Sequence, residues 1–226
     1  NNIINCVISG AGATSATLVG ITNAGAWGTL NMNSNIIRGA SSSATTSGFQ
    51  GIVNSGSVTT AVNINSNQLG NASGGCYTST AATSGTFQGI SISGTNVAGC
   101  AVQINSNDFR GVTYNVASTS QQQFIGNTST VAYSSTESIS NNTFTNLNIP
   151  NCTGTCYLIV KTNGMTATGI QTINNNSISG TFTRTGASGT VVGFQSGSTV
   201  SPNGASISIT NNNFSNITVS GASAIT

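Results

Sequence analysis

Ionisable side chains are scarce in this chain, and their scarcity excludes several classes of function. The 226 residues include four Lys and Arg, two Asp and Glu, and no histidine. A His-based metal site and a Ser-His-Asp triad are therefore excluded, and two acids cannot form a cluster of catalytic carboxylates. Four cations are too few for the roughly 6–10 phosphates of a typical duplex contact, so nucleic acid is not an expected partner. The composition predicts a protein that is not an enzyme and needs no metal or cofactor.

Long apolar runs and proline are also scarce. No stretch approaches the ~20 apolar residues of a membrane span, so we expect none. Ser, Thr, Asn and Gly make up 127 of the 226 residues, and there are two prolines. Such a polar composition is often disordered, but 36% of the residues are hydrophobic and they recur regularly. The regular spacing favours a folded chain.

One short phrase recurs along the sequence: an apolar residue, two small or polar residues, Asn, any residue and a second apolar residue. Successive copies begin 29 to 40 positions apart, and a further copy near the start has Cys6 in place of the Asn. Recurrence at such intervals is the signature of a repeat architecture. The asparagines of the phrase are Asn35, Asn67, Asn107, Asn142, Asn176 and Asn212.

A second landmark, a bulky apolar residue, precedes the next phrase by 14 to 17 positions. The segment between a phrase and the next landmark varies more and is rich in Ser, Thr and Gly. Each repeat is therefore predicted to be one structural unit with a single loop of variable length. The landmarks are Leu18, Phe49, Phe87, Phe124, Leu158 and Phe194, and the variable segments are 38–48, 70–86, 110–123, 145–157 and 179–193.

Apolar residues alternate around each phrase, as in Val102 and Ile104, and a period of two indicates strands with one face inward. No stretch of helical length has the i, i+3, i+4, i+7 pattern of an amphipathic helix. We predict an all-β fold, a right-handed parallel β-helix of about seven coils of roughly 35 residues with three short strands per coil. Residues 1–226 would form a single segment of this solenoid.

The recurring Asn lies between two strands of different direction, where the backbone must bend. Asn tolerates left-handed φ/ψ better than most residues, and its side chain can bond local backbone groups. Stacked from coil to coil, these side chains are predicted to form an internal ladder of carboxamides. The alternative is that the row of asparagines is a ligand site.

The phrases Ile-Ser-Asn-Asn-Thr-Phe at 139–144 and Ile-Thr-Asn-Asn-Asn-Phe at 209–214 resemble the parallel β-helix repeats of secreted pectate-lyase-like and adhesin-like proteins. The long, Ser/Thr/Gly-padded repeat is most similar to very large repetitive surface proteins of Bacteroidota exported by the type IX system. The resemblance implies the fold and an extracellular or cell-surface location. It transfers no catalytic residue, because Asp108 and Glu137 occupy different places in their repeats.

Four of the five cysteines suggest two disulfides in an oxidising compartment. Cys152 and Cys156 enclose a short Gly-containing span that can close on itself, and Cys76 and Cys100 share the longest repeat. Connectivity cannot be derived from sequence. Cys6, at a ladder position, is predicted to be a buried thiol.

Insertions on a solenoid project from one face, which is often the binding face. Arginine and tyrosine, both frequent at contact surfaces, concentrate in the variable segments. The alternative is that these tyrosines pack under the loops. The candidate contact face consists of Arg38, Tyr77, Arg110, Tyr114, Tyr157 and Arg184.

These features predict a non-enzymatic extracellular β-helix, an adhesin stalk or fibre subunit. The sequence begins inside one repeat and ends soon after another, which predicts a part of a longer repetitive chain or a unit that associates end to end. The first alternative is a carbohydrate-binding or polysaccharide-active β-helix with surface glycans as partners. The second is an ice-binding solenoid, suggested by the run Thr181, Thr183 and Thr185.

Overall fold

The computed structural model describes residues 3–4, 7–8, 17–46, 48–130, 132, 134–149, 151–185, 188–197, 204–219 and 224–225. Across these ranges the regular secondary structure is entirely β. No helix in this part of the chain has the length and hydropathy to cross a membrane. The strands are β1 (Ile3–Ile4), β2 (Val7–Ile8), β3 (Leu18–Asn23), β4 (Trp27–Asn31), β5 (Ile36–Ile37), β6 (Ala40–Ser42), β7 (Phe49–Asn54), β8 (Val58–Asn63), β9 (Gln68–Leu69), β10 (Tyr77–Ser79), β11 (Phe87–Ile92), β12 (Ala101–Asn105), β13 (Asp108–Arg110), β14 (Val112–Tyr114), β15 (Gln122–Asn127), β16 (Thr136–Ser140), β17 (Thr143–Asn148), β18 (Cys156–Lys161), β19 (Ile170–Asn174), β20 (Ser177–Arg184), β21 (Thr190–Ser196), β22 (Ser206–Thr210), β23 (Ile217–Val219) and β24 (Ala224–Ile225).

The strands form three sheets, and every pairing between them is parallel. A seven-stranded sheet has the order β24-β21-β18-β15-β11-β7-β3, and a six-stranded sheet has the order β22-β19-β16-β12-β8-β4. The other strands belong to an eleven-stranded sheet, in which most turns contribute two short strands or one bent one. The chain visits the three sheets in the same sequence on each turn, so successive turns stack on one another.

This architecture confirms the predicted parallel β-solenoid with an internal asparagine ladder. The predicted number of coils was too high. Between β4 and β22 the chain makes five complete turns, because the outer described segments contribute only β1, β2 and β3 before β4, and β23 and β24 after β22.

Alternating side chains explain why these segments are strands. In β12, Val102 and Ile104 are buried, whereas Gln103 between them is exposed. Ile104 pairs in register with Ile139, which pairs with Ile173, so like residues stack along the interior of the six-stranded sheet. β-Branched residues suit such a pleated, half-buried surface.

Aromatic rings fill the space between the seven-stranded and eleven-stranded sheets. Phe49 stacks on Phe87 with ring centroids 5.3 Å apart, and Phe109 stacks on Phe144 at the same distance. Phe124 contacts Phe109 edge to face at 5.9 Å. Both geometries are favourable for aromatic pairs.

The landmark alignment was wrong at Phe124. Phe87 pairs with Gln122 rather than Phe124, and Gln122 pairs in turn with Cys156. Phe124 lies two positions further along its strand. Because side chains alternate with a period of two, a shift of two keeps the ring inside and preserves the apolar pattern of the sequence.

Candidate functional sites

The asparagine ladder runs along the corner between the six-stranded and eleven-stranded sheets. The Nδ2 of each ladder Asn donates to the Oδ1 of the next: the distance is 3.0 Å from Asn67 to Asn107 and from Asn107 to Asn142, and 2.9 Å from Asn142 to Asn176. The pairs Asn35–Asn67 and Asn176–Asn212 continue the column at 3.0 and 2.9 Å. The ladder therefore joins every turn from Asn35 to Asn212.

Each internal carboxamide uses its full hydrogen-bonding capacity. The Oδ1 of Asn142 accepts from both the backbone N–H and the side chain of Asn107, at 2.9 and 3.0 Å. Its Nδ2 donates to Asn176 and to the backbone carbonyl of Ile104, at 2.9 and 2.8 Å. Two donors and two acceptor sites are all that an amide side chain offers. No capacity remains for a ligand, so the ladder is structural.

The left-handed residue at this corner is the one before the ladder Asn. Among the described residues, no ladder Asn has a positive φ. The expected backbone role of the ladder Asn itself was therefore wrong, and the Asn contributes through its side chain. The left-handed residues are Ser34, Ser66, Ser106, Asn141, Asn175 and Asn211, with φ between 54° and 58°.

Three of the six predicted contact residues are buried, so the assignment of Tyr77, Tyr114 and Arg184 to an exposed face was wrong. Tyr77 stacks on Phe49 at 5.2 Å, and the Tyr114 hydroxyl lies 3.1 Å from the Ser120 Oγ. Burial raises the pKa of both tyrosines. The variable segments fold back as β10, β14 and the end of β20, and these strands turn the three side chains inward.

The Arg184 guanidinium is 0% exposed. Its Nη2 donates to the carbonyl of Gly154 and, at 3.2 Å, to that of Ser188. Its Nε and Nη1 have no hydrogen-bond partner among the described residues. The guanidinium lies close enough to Cys152 and Cys156 to lower their pKa, but the loss of hydration on burial outweighs it.

Arg38 and Arg110 remain partly exposed and line one surface of the eleven-stranded sheet. The Arg110 Nε lies 3.2 Å from the Asp108 Oδ2, and the Arg38 Nη1 donates to the Asn71 Oδ1 at 3.5 Å. Thr143 and Thr145 donate to the other oxygen of Asp108. A groove of about 320 Å³ opens beside these groups; we call it the Arg110 groove, and it is lined by Gln68, Asn71, Ala72, Ser73, Asp108 and Arg110.

Tyr157 lies on the seven-stranded sheet. It pairs in register with Gln123 and lines a separate groove of about 260 Å³ with Gln121 and Gln195. The partly exposed members of the predicted set are therefore divided between two sheets, and the single contact face is not formed.

The four described cysteines are buried free thiols, so neither predicted disulfide is present in the structure. Burial raises the pKa of Cys152 and Cys156 to about 12, and it also raises the pKa of Cys76 and Cys100. Cys76 precedes a strand of the eleven-stranded sheet and Cys100 one of the six-stranded sheet, which explains why one repeat does not bring them together. Cys6 lies outside the described residues.

A buried ion pair was missed by the sequence analysis. The Lys161 Nζ lies 3.4 Å from the Glu137 Oε2, and these side chains are 2% and 1% exposed. Gln171 donates to the Glu137 Oε1 at 3.1 Å, and Lys161 donates to the Ser129 carbonyl. One signal was available: Glu137 precedes the buried Ile139 by two positions, so both side chains point to the same face.

Across the described ranges, no three His, Cys, Asp or Glu side chains are grouped as metal ligands would be. Comparison with known proteins adds no relative: no family model, no curated protein and no solved structure matches this chain.

Proposed function

We propose that this protein is a non-enzymatic structural and adhesive β-solenoid, which acts as a stalk or fibre subunit. The observation that carries the proposal is the unbroken column of carboxamides from Asn35 to Asn212. A rod held by backbone pairing and amide stacking depends little on charge, and this chain has few charged side chains. The function of such a rod would be to provide length and stiffness.

The proposed location is the extracellular space or the cell surface. The support is the likeness of the Ser/Thr/Gly-padded repeat to secreted pectate-lyase-like and adhesin-like β-helices and to type IX-exported surface proteins of Bacteroidota.

Further stacking at β22 is the proposed mode of assembly. β22 pairs with β19 on one side, and no strand of the described residues pairs with its other side. Ile207 and Ile209 on this strand are 39% and 51% exposed, whereas Ile173, the register partner of Ile209, is buried. Another turn laid on β22, from flanking repeats or a second copy, would cover both side chains and pair the open edge.

Sedimentation velocity and negative-stain microscopy over a concentration series test this assembly. We expect rods that lengthen with concentration, and we expect Ile209→Lys to shorten them because its charge lies where the next turn must stack. Ser208→Lys, with the same charge on the other face of the same strand, is the matched control and should assemble normally. A wild-type protein that remains a short monomer at high concentration would refute end-to-end assembly.

Carbohydrate binding is a second candidate function, and the Arg110 groove favours it. The Arg110 guanidinium and the Asp108 carboxylate line the groove with amide side chains, and Arg38 lies beside it through its contact with Asn71, so the two guanidinium groups outnumber the carboxylate. An acidic oligosaccharide matches that chemistry. We expect binding of oligogalacturonate by calorimetry to weaken at least about tenfold in Arg38→Ala, since hydrogen bonds to charged groups contribute about 1.5–3 kcal/mol. Tyr157→Ala, on the other sheet, should bind normally; absence of wild-type binding removes this candidate.

A further inference from the structure

The solenoid interior holds the only lysine of the sequence, and a carboxyl group lies beside it. Lys161 and Glu137 extend toward each other from neighbouring turns, and their side chains are almost completely buried. Burial lowers the pKa of the Lys161 amine, and the nearby Glu137 carboxylate partly opposes that effect. A lowered pKa makes the neutral amine, which is the nucleophilic form, more accessible.

A carboxamide lies on the adjacent strand at the same level. Asn127 of β15 is the register partner of Lys161 of β18, and such strands are about 4.8 Å apart. Asn127 is fully buried, and its Nδ2 has no hydrogen-bond partner in the described part of the chain. A buried amide nitrogen without a partner is unfavourable, so this arrangement needs an explanation.

Ser129 binds both groups. Its backbone N–H and its hydroxyl donate to the Asn127 Oδ1 at 2.8 and 2.6 Å, and its carbonyl accepts from the Lys161 Nζ. Two donors aimed at one carbonyl oxygen are what acyl transfer requires, because negative charge develops on that oxygen during attack. Gln171 holds the Glu137 carboxylate through its other oxygen.

We propose that Lys161 and Asn127 are joined by an isopeptide bond that forms after folding. The Lys161 Nζ attacks the Asn127 Cγ, the Cγ–Nδ2 bond breaks, and ammonia leaves. Glu137 first takes a proton from the Lys161 ammonium group, which leaves the neutral amine that attacks, and gives this proton to the departing nitrogen. The Glu137 carboxylate then takes a second proton from the attacking nitrogen, while Ser129 stabilises the oxygen of the tetrahedral intermediate. The reaction needs no oxidant and no co-reactant, since the fold holds the reacting groups together.

The bond would connect two neighbouring turns of the seven-stranded sheet covalently. Residues 127–161 would then form a closed loop, and neither turn could separate from the other when the rod is pulled or partly unfolded. The inference stands on this local geometry and does not depend on the proposed function.

The test is amine labelling and intact-mass analysis of the purified protein in denaturant. With the bond, the mass is lower than the sequence mass by one ammonia, and an amine-reactive ester labels only the α-amino group. Tandem mass spectrometry then identifies a branched peptide that links Lys161 to Asn127. A full sequence mass with labelled Lys161 overturns the proposal.

Glu137→Gln is the matched variant, because it preserves the shape of the side chain and removes the proton carrier. We expect it to keep the circular dichroism of the wild type, to have its full mass and to label at Lys161. A succinimide at Asn163-Gly164 or Asn203-Gly204 also releases ammonia but leaves Lys161 reactive. Ammonia loss with labelled Lys161, or loss of water through condensation with Glu137, therefore counts against the proposed bond.

Discussion

Two of the buried polar regions of this solenoid, the asparagine ladder and the surroundings of Arg184, differ in how their hydrogen bonds are satisfied. In the asparagine ladder, the donors and acceptors of each internal carboxamide pair with the neighbouring turns. The Arg184 guanidinium is equally buried, but only one of its three nitrogens has a hydrogen-bond partner among the described residues. Burial alone is therefore a poor indication of how much a polar side chain stabilises this fold.

The difference follows from repetition. A ladder residue meets the same residue type in the next turn, so one side-chain geometry satisfies every internal rung. Arg184 stands in register with Val219, and no acidic side chain repeats beside it. A group that occurs once must find partners among whatever side chains and carbonyls surround it, and a buried charge then carries a large desolvation cost.

Replacement of an internal rung should give the largest effect. Asn142→Leu keeps the approximate volume but removes the acceptor of the Asn107 backbone N–H and side chain, and it removes the donor to the Ile104 carbonyl. The Asn176 Oδ1 keeps only the backbone N–H of residue 142. Each unsatisfied buried group costs about 1–3 kcal/mol, so we expect the free energy of unfolding to fall by about 3–5 kcal/mol in urea denaturation. Asn212→Leu, at a partly exposed rung, should lose clearly less; equal losses would mean that the ladder does not act through burial.

Arg184→Met tests the other side of the comparison. Met has a similar length and removes a buried cation with two unpaired nitrogens, although it also removes the Nη2 donor to the carbonyls of Gly154 and Ser188. Because these contributions oppose each other, we expect the free energy of unfolding to lie within about 1 kcal/mol of the wild-type value or to exceed it. A loss as large as that of Asn142→Leu would show that the guanidinium stabilises the fold as a ladder rung does.

Repetition also decided what the sequence could predict. The ladder and the solenoid were predictable because each repeated residue contacts its counterpart in the next turn. The spacing of the asparagines in the sequence therefore predicts which of them are in contact. The variable segments carry no such information. Tyr77 and Tyr114 look like loop residues in the sequence, yet short strands of the eleven-stranded sheet turn them inward.

The Lys161–Glu137 pair shows the same limit in the core. Glu137 could be placed inside because it alternates with Ile139. The strand of Lys161 has four consecutive buried residues at its end, a pattern that no strict alternation predicts. The contact between Lys161 and Glu137 depends on which turns are neighbours and on the register between their strands. That register is set by loop lengths, which vary from repeat to repeat.

The smallest effect on the free energy of unfolding should come from the surface ion pair of Arg110 and Asp108, because water can solvate the groups that lose their partner. Arg110 and Asp108 are 3.2 Å apart with side chains 34% and 23% exposed. Such exposed pairs contribute less than about 1 kcal/mol, so Asp108→Asn should change the free energy of unfolding by no more than that. The amide can still accept from Thr143 and Thr145, which further limits the loss.

Urea denaturation at low and high salt checks this expectation, since the difference in free energy of unfolding between variant and wild type should shrink as salt screens the pair. A loss as large as that at Asn142 would mean that polar groups of this solenoid contribute to stability regardless of burial, and the contrast between ladder and surface would then fail.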